Sequence, residues 1–83
     1  MTVKITRREN HAKAVQWTTQ TRDEMLNVVQ EWTDWENTPD YTDDVIRWPY
    51  NELGRQDWLV MDEVGNVDVY RKDWFESAWE VVA

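Results

Sequence analysis

Cysteine is absent from this 83-residue sequence, which excludes a disulfide framework and any thiolate metal site and makes a reducing compartment the natural home. No apolar run approaches the roughly 20 residues that a helix needs to cross a bilayer, and the basic opening MTVKITRR is not followed by the apolar stretch of a secretory signal. These absences predict a soluble protein of the cytoplasm. Histidine and serine occur once each, as His11 and Ser77. Hydroxyl nucleophiles need an adjacent base and an oxyanion hole of backbone donors, and a lone serine, a lone histidine and no glycine-rich loop provide neither. Acyl transfer is discarded on that ground.

A chain this short forms one domain and has a small core. Seven Trp, three Tyr and one Phe fill it, since each aromatic buries roughly 150–250 Å². The net charge of −8 is unevenly spread. Residues 1–22 carry Lys4, Arg7, Arg8, Lys13 and Arg22 against Glu9 alone, whereas residues 23–83 carry four bases against sixteen acids. An acidic body of that density repels nucleic acid and anionic membrane, and it suits basic protein surfaces. Direct nucleic-acid binding is disfavoured outside the short basic arm, where Lys4, Arg7 and Arg8 either contact a second surface or balance the field.

Val3 and Ile5 alternate with polar residues, as do Val15 and Trp17, which predicts two strands with RRENHAK as the loop or break between them. Thr21 to Glu24, TRDE, is a capping box in which the Thr21 hydroxyl and the Glu24 carboxylate serve each other's amides. The helix it opens carries Met25, Val28, Val29 and Trp32 on one stripe, with Leu26 at its shoulder, and it ends between Thr33 and Asn37 because Pro39 forbids continuation. Residues 37–56 are poorly patterned: TPDYTDD is turn-like, and Val45, Ile46 and Trp48 mark a short strand that Pro49 interrupts. Trp58–Met61 and Val67–Tyr70 then form a hairpin around Asp62 to Asn66, with Gly65 or Asn66 at positive φ. Lys72–Ala78 is a short helix or helical turn with Trp74 or Phe75 inward, and Trp79 leads a last strand to Val82. The order predicts a small single α+β domain over residues 1–83, one amphipathic helix on a mostly antiparallel sheet with a C-terminal hairpin and a short helical turn. Residues 1–12 stay open to being a less ordered basic arm.

Ala14, Val15, Gln16, Trp17 and Thr18, followed by Asp57, Trp58, Leu59, Val60, Asp62, Gly65, Val67, Val69, Phe75, Glu80 and Val82, resemble a family of small phage-encoded proteins of unassigned function. The likeness covers residues 14–33 and 57–82. Gln56 replaces the family's Gly, Trp79 its Tyr and Val81 its Pro, and the missing glycine questions the tight turn before Trp58. The matched residues are core aromatics and a turn, so the resemblance implies a fold and a phage origin in a bacterial host cell, and no reaction.

Adjacent carboxylates Asp43 with Asp44, and Asp62 with Glu63, lack the ligand spacing of a calcium loop, and Asp62 with Glu63 also suits a hairpin turn. Asp23 and Glu24 are accounted for by the dipole of the first helical turn. The stretch EWTDWENTPDYTDD, residues 31–44, holds six carboxylates and no base. One account makes Trp32 core, Trp35 a cap at the helix end and the acids a solvated loop. The other makes Glu31, Asp34, Glu36, Asp40, Asp43 and Asp44 a patch aimed at a basic groove, with Trp35 and Tyr41 as exposed anchors, because aromatics form hot spots and charge selects the partner. The expected function is that of a non-enzymatic phage accessory protein, monomer or dimer, without cofactor or metal. It inhibits a host or defence protein in the manner of anti-restriction or anti-CRISPR proteins, with mimicry of DNA as a sharper form. A virion assembly role and a small metal-dependent enzyme using Asp43, Asp44 or Asp62 remain as alternatives.

Overall fold

The computed structural model describes residues 2–7 and 10–82. Along them the chain forms β1 (Thr2–Arg7), β2 (Asn10–Gln16), α1 (Arg22–Thr33), β3 (Asp40–Tyr41), β4 (Val45–Trp48), β5 (Asn51–Gly54), β6 (Trp58–Asp62), β7 (Val67–Tyr70), α2 (Lys72–Ala78) and β8 (Glu80–Val81). The fold is α+β, with every strand pair antiparallel. Five strands make one sheet in the order β7-β6-β2-β1-β8, and β3-β4-β5 make a second.

Local chemistry explains the boundaries of α1. Thr21 caps it, its hydroxyl accepting from the Glu24 amide at 3.2 Å, which satisfies one of the orphan amides of the first turn. The answering bond from the Glu24 carboxylate does not form among the described residues, so half of the expected box is present. Met25, Leu26 and Val29 are buried, while Val28 and Trp32 pack at the edge of the same cluster. The helix stops at Asp34, which takes the left-handed conformation at φ 56° that Asp tolerates better than most residues.

Strand alternation gives the large sheet two working faces. Val15 pairs with Leu59 and Ala14 with Val60, and the two pairs point opposite ways. Val15 and Leu59 join Trp17, the α1 stripe, Ile46 of β4 and Leu53 of β5 in one core. Ala14 and Val60 join Ile5, Phe75 of α2 and Trp79 in the other. Phe75 is the inward residue of α2, stacked on Trp58 with ring centroids 3.9 Å apart, whereas Trp74 is 65% exposed.

Four features differ from the expectation. The β1–β2 ladder extends to Thr6 opposite His11 and Arg7 opposite Asn10, so Asn10 to Lys13 belong to a strand rather than to a loop. Trp79 is the C-cap of α2, and β8 begins one residue later. Residues 37–56 hold a three-stranded meander instead of one isolated strand. Pro49 and Tyr50 are its two-residue hairpin loop, with Trp48 opposite Asn51, so the proline turns the chain rather than breaking the sheet. The turn before Trp58 forms without glycine, with Gln56 held at φ 72°.

Candidate functional site

The acidic stretch does not hang free. Gln30 of α1 donates to the Asn37 carbonyl at 3.1 Å, and beyond this point the chain doubles back along the helix toward its start. There Arg22 holds it: the guanidinium lies 4.3 Å from the Tyr41 ring centroid and donates to the Asp43 carboxylate at 2.9 Å. The base that residues 31–44 lack is thus supplied by the first residue of α1. Glu31, Asp34 and Glu36 stand at the far end of the helix, Asp43 and Asp44 at the near end, and α1 is about 18 Å long at 1.5 Å per residue.

All six carboxylates are exposed, and among the described residues only Asp43 of the six is ion-paired. They make an acidic ridge that follows the chain from the C-terminal end of α1 through β3 back to Asp43 at the start of the helix, rather than a compact patch. Tyr41 is 49% exposed, its free edge beside the Arg22 clamp. Trp35, expected as a projecting anchor, is half-buried and forms a wall of a groove with Pro39, Asp40, Arg47 and Trp48. Trp32 packs against the core, with the Lys13 ammonium 5.2 Å from its ring centroid.

The basic residues do not share one surface. Residues 2–7 form β1, hydrogen-bonded on both sides, and alternation sends Lys4 and Arg7 to opposite faces. Lys4 lies directly opposite Lys13, while Arg7 lies 4.9 Å from the Trp79 ring centroid on the α2 face. Arg8, the remaining residue of that arm, lies outside the described residues.

Asp62 is occupied by the hairpin turn, its carboxylate accepting from the amides of Val64 and Asn66 at 3.0 and 2.9 Å. Among the described residues, no group of three acidic, His or Cys side chains converges as a metal site, and no helix is long and apolar enough to cross a membrane.

Two residues escaped the sequence reading. Tyr50, at the tip of the β4–β5 hairpin, has a fully exposed side chain and φ 65°. Arg47 pairs with Glu52 across the same hairpin at 3.0 Å. The readable signal was the mirrored pattern around Pro49–Tyr50, with Ile46 matched to Leu53 and Arg47 to Glu52, an apolar and an opposite-charge cross-strand pair.

No protein-family model matches the chain, and no curated protein or solved structure matches it either.

Proposed function

We propose that this is a non-catalytic binding protein of the phage accessory kind, which inhibits a host or defence protein by laying its acidic ridge along a basic surface. The carrying observation is the set of six exposed carboxylates over residues 31–44, five of them without an ion-pair partner among the described residues. Self-repulsion in such a set is unfavourable within the protein and is relieved by a complementary partner. A high density of exposed carboxylates with almost no paired base favours a partner with a basic groove, and a groove that normally holds phosphates is the sharper form of that reading. Tyr41 is an aromatic anchor at one end of the ridge.

The test is affinity capture from nuclease-treated bacterial lysate with elution by salt, comparing the native protein with the triple variant Asp34→Lys, Asp40→Lys, Asp44→Lys. Asp43 is left in place because it holds Arg22. The expected outcome is a nucleic-acid-handling protein retained by the native chain, released at moderate salt and absent from the variant. Equal capture by both proteins removes the ridge from the function.

A further inference from the structure

Helix α1 covers only one end of its face of the large sheet. Val15 and Leu59 lie in the core beneath it, and alternation brings Lys13 and Met61 to the same face two residues along their strands. There Lys13 is paired with Lys4 on one side and with Met61 on the other. Beyond Lys4, the Val82 amide donates to the Lys4 carbonyl at 2.9 Å, which completes a row Val82, Lys4, Lys13, Met61 across the sheet. A groove of about 370 Å³ lies over this row. Its floor is strand backbone, because Ile5 and Ala12 turn their side chains into the α2 core and Asp62, paired with Ala12, alternates with them.

Two positive charges directly opposite each other on a sheet repel, and neither lysine has an ion-pair partner among the described residues. The Lys13 ammonium has only the Trp32 ring as a described neighbour of its charge, at 5.2 Å from the centroid. The acids of the lining do not relieve the pair. The Asp62 carboxylate is held by the amides of Val64 and Asn66. Glu63 lies one residue beyond the Ala12–Asp62 pair, beside His11, and forms no ion pair with either lysine among the described residues. Val82, 55% exposed, and the half-buried Met61 put apolar surface on both flanks of the two ammonium groups.

We propose that this groove binds a small amphipathic carboxylate, an acid head group on a short apolar body. The head group relieves the repulsion between Lys4 and Lys13, and the His11 ring can donate a further hydrogen bond to it. The body lies on Met61, Val82 and the aliphatic stems of the lysines, which bury apolar surface while their charged ends stay in water. With Asp62 held by backbone amides and His11 neutral, Lys4 and Lys13 against Glu63 leave the groove at 2 − 1 = +1, which a single negative charge balances. The volume lies within the usual range of ligand pockets, about 300–1,000 Å³, and at roughly 30 Å³ per water-sized group it holds about a dozen non-hydrogen atoms. A polyanion is opposed by the protein's net charge of −8, whereas a singly charged small molecule meets only the local field. The inference uses none of the ridge carboxylates and stands apart from the proposed inhibitory role.

The experiment titrates octanoate into the full chain labelled with ¹⁵N. The amide resonances of Lys4, Lys13, Met61 and Val82 are expected to move together and to saturate, while those of Asp40 to Asp44 stay in place. Acetate, which lacks the body, and octylammonium, which reverses the charge, should each bind at least about tenfold more weakly. Lys4→Gln and Lys13→Gln change exposed side chains and remove a repulsive pair, so the fold is retained; each weakens octanoate binding several-fold. Unmoved resonances at the two lysines, equal affinity for octylammonium, or undiminished affinity in the double glutamine variant would overturn the proposal. Tighter binding of octyl phosphate would overturn the single-charge head group. Tighter binding of a short peptide with a free C-terminal leucine than of octanoate would overturn the small-molecule reading in favour of a protein C-terminus.

Discussion

Besides Asp34 at the end of α1, two side chains sit where glycine would be unstrained. Gln56 and Tyr50 hold φ 72° and 65°, a region that costs a residue with a Cβ about 1–2 kcal/mol. Gln56 is held there by its neighbours: its amide donates to the Trp17 carbonyl at 3.0 Å, and its own carbonyl accepts from the Gln16 side chain at 2.9 Å. Gln56→Gly keeps both bonds and removes the strain, less the extra backbone entropy of glycine, so a gain of up to about 1 kcal/mol is expected in urea denaturation. A loss of stability would show that the side chain contributes something its exposed position conceals. Trp17 is the opposite case, fully buried with its indole N–H donating to the Gln20 carbonyl at 3.2 Å and the Arg55 guanidinium 4.1 Å from its ring centroid. Trp17→Ala is expected to cost about 3–5 kcal/mol, whereas Trp74→Ala, at an exposed position, should stay within about 0.5 kcal/mol. Both are read by the same denaturation series.

Among the elements, α1 was legible nearly residue by residue, because its start depends on one hydroxyl and its inward stripe on the 3.6-residue period. Thr21→Ala should cost about 1 kcal/mol, measured as a lower melting temperature. Restoration by Thr21→Ser would assign the loss to the cap and not to packing. The C-terminal hairpin was equally legible, since Asp62 and Gly65 are turn residues by their chemistry. The meander of residues 37–56 was not. Its strands are two to four residues long, too short for alternation to stand out. Tyr50 at positive φ also carries none of the glycine or asparagine signature by which such turns are recognised. What makes these strands is burial of Ile46 and Leu53 against the same core as α1, a contact between segments that no local pattern encodes.

For the whole molecule, the large sheet separates two cores and holds both. Leu53 belongs to one and Phe75 to the other, with no shared side chain, so Leu53→Ala and Phe75→Ala should add to within about 0.5 kcal/mol while the protein still unfolds in one transition. Separate transitions by circular dichroism and tryptophan fluorescence would show that the meander unfolds apart from the sheet. Charge acts at this scale too. Each Asp→Lys change adds two, so the triple ridge variant moves the net charge from −8 to −2. Added salt screens self-repulsion, and it should raise the melting temperature of the native protein more than that of the variant.

Composition and local spacing were sufficient for the α+β class, the helix with its cap, the inward stripe, the final hairpin and the acidic character of residues 31–44, because each depends on contacts within a few residues or on charge alone. Long-range packing settled the rest. It returned the acidic stretch along α1 under Arg22 and turned Trp35 into the wall of a groove. It also divided the basic start between two faces of a sheet and placed Tyr50 in solvent at a hairpin tip. A sequence states which side chains are charged or aromatic, but which of them meet is determined by burying Ile46, Leu53 and the α1 stripe against one face of a sheet, and that is a property of the folded chain.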